Sequence, residues 1–220
     1  MSKRILTLYT ENWREEPFTI SRCSSDNFDV VVVVLKENGF KGWGECTPTE
    51  RYNESTSQTL SLIENYRKEL EDGISRSEIQ NIMPKGAARN AVDCALWDLE
   101  AKMTGKRIWE LSEMFTHLQK GNLSEPKIVT SVFSLGLDTP KKMGKIAKKN
   151  SKRPILKIKL KGDGDLERLK IIRENAPNSR LIVDANEGWN QEHYHSFVPE
   201  FLKLGVEMIE QPFPADRDSL

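Results

Sequence analysis

The chain has 220 residues, and its 33 Lys and Arg residues balance 33 Asp and Glu residues, so the formal net charge is zero. This balance argues against nucleic acid or an anionic membrane as the main partner. A mean hydropathy of −0.57, with no long apolar run, argues against a transmembrane helix.

The first part of the chain has the pattern of an antiparallel meander. The run DVVVVVLK at 29–36 is rich in β-branched residues, which favour strands. Asn38 and Gly39 follow it and suit a tight turn, because both tolerate positive φ. The predicted strands are residues 3–9, 18–23, 29–36 and 40–45.

A helical region follows. Apolar residues at helical spacing predict helices at 55–71, 75–82, 87–102 and 108–115. Gly105 is a typical C-terminal stop for the third of them. The polar segment 117–126 is the predicted domain boundary, so we expect an α+β domain over 1–120 and a second domain over 127–220.

From residue 127 onward, strand and helix patterns alternate. This alternation predicts an α/β domain with a parallel sheet, because parallel strands are joined by helical crossovers. The predicted strands are 128–133, 154–160, 181–184 and 206–210, and the predicted helices between them are 139–149, 165–176 and 190–204.

Charged residues occupy these apolar strands. Lys157 and Lys159 share one face of the second strand, and the next two strands end in Asp184 and Glu210. Lysines on one strand alone are typical of a solvent-exposed edge, and Asp184 alone could cap the following segment. Spaced one strand-helix repeat apart, however, the four side chains are expected to converge at one mouth of the sheet. Two lysines and two carboxylates there suggest general-base chemistry beside a divalent metal.

Several segments resemble the muconate-cycloisomerase-like branch of the enolase superfamily, and within it the bacterial dipeptide epimerases. They are PFTISR at 17–22, GWGECTPTERYNES at 42–55, MPKGAARNAVDCALWDLEAK at 83–102, and the motifs LKIKL, LIVDANEGW and EQPFPA. The resemblance extends over essentially the whole chain. It implies an α+β capping domain followed by the first half of a (β/α)7–8, TIM-like barrel, which would be incomplete.

The resemblance also implies roles for individual residues. A Mg²⁺-dependent proton transfer at the α-carbon of the C-terminal residue of an L-Ala-D/L-Glu-type dipeptide is expected, in the recycling of cell-wall murein peptides. Lys159 would be the catalytic acid/base, and Asp184 and Glu210 would be metal ligands. The expected substrate contacts are Lys157, Thr130 on the first barrel strand, and Arg22 in a loop that closes over the substrate.

One part of the family pattern lies beyond this sequence. The third metal-binding carboxylate and the opposite-face lysine would stand on the fifth and sixth barrel strands, after Leu220. We therefore expect the 220-residue chain to be inactive by itself. The alternatives are a non-catalytic remnant or interaction module, and another acid/base enzyme of the same branch, such as a cycloisomerase.

The cysteines and the N-terminus bear on localisation. Cys23, Cys46 and Cys94 are odd in number and have no metal-binding spacing, which favours free thiols over zinc. No signal-peptide pattern is visible at the start of the chain. We predict a cytoplasmic location. The sequence does not indicate an oligomeric state.

Overall fold

The computed structural model describes residues 3–111 and 126–218, without the side chains of residues 15 and 16. The chain divides into two compact units, Met1–Arg14 with Asn27–Lys127, and Glu15–Asp26 with Ile128–Leu220. The segment 15–26 therefore groups with the second unit, which the sequence did not indicate. Nearly all of the predicted boundary, 117–126, lies outside the described residues.

Most of a three-stranded sheet with the order β1-β2-β3 forms one layer of the first unit. Its strands are β1 (Ile5–Thr19), β2 (Ser24–Glu37) and β3 (Phe40–Cys46). The predicted strand 3–9 and the first two residues of the predicted strand 18–23 belong to one strand, β1, which continues through the polar stretch between them and is hydrogen-bonded to β2. Residues 20–23 instead form the turn to β2, in which the Ile20 N–H donates to the Cys23 carbonyl at 2.9 Å. The turn from β2 to β3 has Asn38 and Gly39 at φ 49° and 85°, as the Asn-Gly signal predicts.

Strand β2 is apolar on both faces. Val31, Val33 and Leu35 point into the core that includes the helices of this unit. Val30, Val32 and Val34 are also buried, in a smaller cluster on which Tyr9 packs. The alternation of a strand places these two sets on opposite faces, so the run of valines serves two packing surfaces.

The helices of the first unit are α1 (Thr56–Asn65), α2 (Arg67–Glu71), α3 (Arg76–Ile82), α4 (Ala87–Thr104) and α5 (Ile108–Leu111). The predicted helix 55–71 is two helices, interrupted at Tyr66, whose hydroxyl donates to the Ile82 carbonyl at 2.8 Å. Ser75 and Glu78 form a capping box at the start of α3. Gly105, at φ 67°, ends α4 as predicted.

Strand β3 lies directly against α4. A Cβ atom on Gly42 would stand 2.2 Å from the Ala95 carbonyl oxygen, and one on Gly44 would stand 2.0 Å from that of Ala91. These positions therefore require glycine, because backbone atoms of the helix cannot move aside as a flexible side chain can.

The second unit contains a parallel sheet with the order β4-β5-β6-β7, as the strand-helix alternation predicts. Its strands are β4 (Phe133–Leu135), β5 (Ile155–Lys159), β6 (Arg180–Asp184) and β7 (Val206–Glu210). The helices are α6 (Pro140–Lys149), α7 (Asp165–Asn175) and α8 (Gln191–Lys203). Leu156, Ile158 and Leu160 are fully buried in the core of this unit.

The first strand of this sheet is shorter and later than predicted. We expected a strand over 128–133, whereas β4 is Phe133–Leu135, paired with Leu156–Ile158 of β5. Residues 128–132 have no strand structure, and Ile128 and Val129 are exposed, so burial in the core does not hold this segment in the sheet. In the ranges 3–111 and 126–218, no helix combines the length and apolar character needed to cross a membrane.

Candidate active site

The carboxyl ends of β5, β6 and β7 bring three predicted site residues side by side. Lys159 is in register with Asp184, and Asp184 is in register with Glu210. Residues in register on neighbouring parallel strands point to the same face, so these three side chains share the face opposite the buried Leu156 and Ile158. The sequence pattern therefore placed them correctly.

Asp184 and Glu210 hold the two lysines. Lys159 Nζ lies 2.6 Å from Asp184 Oδ2. Lys157 Nζ lies 3.2 Å from the same oxygen and 2.7 Å from Glu210 Oε2. Lys157 thus bridges the two carboxylates, while Lys159 contacts Asp184. The result is a compact cluster of two positive and two negative groups at one end of the sheet.

The electrostatics of the cluster favour its charged form. Burial would raise the pKa of Asp184, but hydrogen bonds from Lys159, the Asn186 N–H and Lys157 outweigh it and hold the pKa below its ordinary value. Burial would lower the pKa of Lys157, but hydrogen bonds to Glu210 and Asp184 raise it overall. Asp184 is therefore a carboxylate at neutral pH and Lys157 an ammonium.

Asn186 belongs to this site although the sequence reasoning did not single it out. Its N–H donates to Asp184 Oδ1 at 2.9 Å, and its φ is 46°. Its side-chain amide donates to Gln211 at 3.3 Å. Its Oδ1 is buried and has no hydrogen-bond partner among the described residues. The available signal was an Asn two residues after a strand-end carboxylate, because Asn tolerates the left-handed region.

Arg22 lies at the same end of the second unit. Its Nη1 donates to the Asn186 carbonyl at 2.8 Å and lies 3.3 Å from Glu187 Oε2. Ser21 Oγ donates to the same carbonyl at 2.8 Å. The segment 15–26 is further attached by a hydrogen bond from the Leu137 N–H to the Thr19 carbonyl. The structure therefore brings Arg22 to the segment that follows Asp184.

Thr130 is not brought into the cluster. We expected it on the first strand of the sheet, but it is exposed and precedes β4 by three residues. Ser134 is the β4 residue in register with Lys157. The prediction placed the start of the strand too early, so the residue of β4 that shares the lysine face is four positions later than the one we chose.

The donor set suits a hard divalent cation in part. Carboxylate oxygens from Asp184 and Glu210 are the ligand type that Mg²⁺ prefers. No group of three or more His, Cys, Asp or Glu side chains arranged to hold a metal occurs within 3–111 and 126–218. Two carboxylates on adjacent strand ends can supply part of a Mg²⁺ coordination shell, with water and substrate oxygens supplying the rest.

Comparison with protein families matches both parts of the chain. Residues 3–112 match the mandelate racemase/muconate lactonizing enzyme N-terminal domain. Residues 143–220 match the enolase C-terminal domain-like family.

Two curated relatives are similar over most of this chain. The L-Ala-D/L-Glu epimerase of Escherichia coli (strain K12) is 38% identical, over 98% of this chain and 65% of its own length. The N-acetyl-D-glutamate racemase of a Pseudoalteromonas species is 35% identical, over 86% of this chain and 58% of its own. This chain therefore spans less than two thirds of either relative.

Solved structures show the same fold. An enolase family member from Agrobacterium tumefaciens with homology to dipeptide epimerases, with bound sodium and L-Ala-L-Glu, has a TM-score of 0.89 and 39% identity, covering 98% of this chain and 64% of that one. A dipeptide epimerase from Enterococcus faecalis, complexed with Mg and L-Leu-L-Tyr, has a TM-score of 0.85 and 25% identity, covering 98% and 63%.

Proposed function

Because this chain belongs to the mandelate racemase/muconate lactonizing enzyme family of the enolase superfamily, we propose that the protein is a Mg²⁺-dependent dipeptide epimerase. The proposed reaction inverts the α-carbon of the C-terminal residue of L-Ala-D/L-Glu-type dipeptides. We place it in cytoplasmic recycling of murein peptides. The observation that carries the proposal is the contact of Lys159 Nζ with Asp184 Oδ2 at 2.6 Å, in a chain similar to known epimerases.

The chemistry assigned to this chain is proton transfer at Lys159 Nζ. The α-proton of a C-terminal residue is weakly acidic, so a base must stand next to it and the charge left behind must be stabilised. Lys159 occupies the cluster face of β5, from which its Nζ can remove the α-proton of one epimer as the neutral amine and, in the reverse reaction, deliver it as the ammonium. Inversion also needs a second acid on the opposite face of the α-carbon, the role that the family pattern gives to a lysine on a later barrel strand. When bound, Mg²⁺ would be held by Asp184 and Glu210 and would stabilise the developing charge on the substrate carboxylate.

Lys157, Arg22 and the β4 position complete the proposed substrate contacts. Lys157 carries a positive charge between the two carboxylates, so it can attract and orient the substrate carboxylate. Arg22 already holds a carboxylate, that of Glu187, which suits recognition of an acidic side chain. Ser134, in register with Lys157, is a better candidate than Thr130 for the contact from β4.

A second candidate substrate is an N-acylated amino acid without a peptide partner. The 35% identity to an N-acetyl-D-glutamate racemase favours it. Both candidates present glutamate with an acylated amino group, and both reactions invert the same carbon. They differ in the acyl group, because the alanyl group of the dipeptide carries a free amine and one more carbon than the acetyl group.

The test is deuterium wash-in at the α-carbon, followed by proton NMR in D₂O with Mg²⁺. L-Ala-L-Glu, L-Ala-D-Glu and N-acetyl-D-glutamate are compared for two proteins. One is this chain, and the other is this chain extended by the remaining C-terminal third of the Escherichia coli relative. We expect exchange with the extended protein, at least tenfold faster for the dipeptides than for the N-acetyl compound, and none with the 220-residue chain.

Lys159→Ala in the extended protein is expected to abolish the interconversion of L-Ala-L-Glu and L-Ala-D-Glu. The matched control is Lys161→Ala, because Lys161 is exposed and stands two residues further along. Interconversion of the two epimers that survives Lys159→Ala would remove Lys159 from the reaction. An extended, folded and Mg²⁺-loaded protein without any exchange would favour the non-catalytic alternative.

A further inference from the structure

We propose that Asp165 is a positioning residue that fixes Lys159 and Asp184 in contact by joining the chain segments that follow β5 and β6. The inference rests on the proposed function only for the catalytic role given to Lys159. Asp165 lies at the start of α7 and has no accessible surface, whereas a carboxylate that only begins a helix can remain in water.

Four N–H groups converge on the Asp165 carboxylate. The Gly162 N–H donates to Oδ2 at 2.6 Å and the Lys161 N–H at 3.0 Å. The Trp189 indole Nε1 donates to the same oxygen at 2.8 Å. Arg168 Nη1 donates to Oδ1 at 3.1 Å. A buried charge is tolerated only when it is hydrogen-bonded in this way. The four donors therefore stabilise the carboxylate, and the carboxylate in turn fixes the positions of the donors.

The donors belong to the segments that carry the site. Lys161 and Gly162 directly follow the Lys159-Leu160 pair at the end of β5. Trp189 stands five residues after Asp184, on the segment that follows β6. Asp165 therefore connects the chain just beyond the proposed base with the chain just beyond its carboxylate partner.

The connection extends to the segment after β4. Arg168, paired with Asp165, donates from Nε to the Asp138 carbonyl at 3.0 Å. It also donates from Nη1 to the Asp163 carbonyl at 2.7 Å. The Asp165–Arg168 ion pair thus links the segments after three neighbouring strands, β4, β5 and β6.

The packing around this ion pair leaves little room for rearrangement. A Cβ on Gly188 would stand 3.0 Å from the Lys161 carbonyl oxygen, so the segments after β5 and β6 are in backbone contact. Leu160 N–H donates to the Asp184 carbonyl at 2.9 Å and ties the strand ends together. Burial raises the pKa of Asp165 even though the hydrogen bonds and Arg168 act to lower it.

The position of Lys159 can be read directly by NMR of the ¹³C-lysine-labelled 220-residue chain. Its ε-CH₂ resonance is assigned by its disappearance in Lys159→Arg. In Asp165→Asn, at least one N–H donor faces an amide NH₂ that cannot accept. We expect the Lys159 resonance to move at least halfway toward that of the exposed Lys145, because the ion pair with Asp184 is populated less.

Two controls separate positioning from loss of stability. Asp163→Asn changes an exposed carboxylate next to the same segment and should leave the Lys159 resonance in place. Met143→Ala removes a buried side chain from the same core, away from these segments, and should lower the unfolding midpoint without moving the resonance. A general loosening of the unit would move it in both Asp165→Asn and Met143→Ala.

Trp189→Phe provides a second, milder route to the same question. It keeps an aromatic ring but removes the indole N–H that Asp165 accepts. We expect the Lys159 resonance to shift in the same direction as in Asp165→Asn, but by less. If Asp165→Asn does not fold, the Trp189→Phe result tests the proposal in its place. An unmoved Lys159 resonance in the folded variants would overturn the proposal. The readout needs no dipeptide, so it remains valid if the protein is not an epimerase.

Discussion

The sharpest consequence of the charge cluster concerns Asp184. Its side chain is 1% exposed and accepts hydrogen bonds from Lys159, Lys157 and the Asn186 N–H. Asp184→Asn keeps the shape but removes the charge. Lys159 then has no carboxylate partner within the cluster, and Lys157 keeps only Glu210. Removing one member of a buried ion pair costs about 3–5 kcal/mol, a large part of the roughly 5–15 kcal/mol of a typical domain.

This loss can be measured by urea unfolding followed by circular dichroism. With a slope near 2 kcal/mol/M, a loss of about 4 kcal/mol moves the midpoint by about 2 M. Asp163→Asn, whose side chain is fully exposed at 102%, is the matched control and should change stability by less than about 0.5 kcal/mol.

A double variant tests the reason for the loss. Adding Lys159→Met to Asp184→Asn removes the stranded ammonium, so part of the loss, on the order of 1–3 kcal/mol, should be recovered. The reasoning fails if Asp184→Asn lies within about 1 kcal/mol of the wild type, or if the two substitutions are additive.

Three further outcomes follow from the structure. Gly44→Ala should lower the free energy of unfolding of the first unit by about 1–3 kcal/mol, because its Cβ would stand 2.0 Å from the Ala91 carbonyl oxygen. An unchanged thermal midpoint would show that β3 can move away from α4. Burial raises the pKa of Cys46 from 9.0 to about 12, so this thiol's contribution to stability is complete below pH 9 and is lost as the pH rises toward 12. Over that pH range the free energy of unfolding of Cys46→Ala should therefore fall less than that of the wild type. Equal decreases, measured by urea unfolding at each pH, would contradict the raised pKa of Cys46. Arg22→Met should speed hydrogen exchange in residues 19–23 at least tenfold, since two contacts with the segment after Asp184 are lost; mass spectrometry showing wild-type protection would argue against that attachment.

The sequence alone was sufficient to predict which strand ends carry the candidate site residues. The alternation of Lys157 and Lys159 with buried Leu156 and Ile158 is a property of any strand. The spacing to Asp184 and Glu210 is that of successive strand-helix repeats, whose parallel strands end at the same edge. The fold class and the family could be predicted for the same reason, because both depend on periodicity and on motifs that are local in the chain.

The boundaries of elements were less accessible. Residues 11–16 are polar, yet they continue β1, because hydrogen bonding to β2 is decided by the neighbouring strand and not by hydropathy. The first strand of the parallel sheet begins at Phe133, where β5 offers partners, and this displaced Thr130 from the face on which we expected it. A single sequence does not show which backbone N–H and C=O groups a neighbouring strand offers for pairing.

Taken alone, the sequence determined which residue types stand at the ends of β5, β6 and β7. Only the tertiary structure decided how they pair: Lys157 between Asp184 and Glu210, and Lys159 on Asp184. It also revealed Asn186 and Asp165, whose importance comes from burial and from donors that are distant in the chain. The physical reason is that strand periodicity is local, whereas the cost of burying a polar group depends on every segment that folds around it.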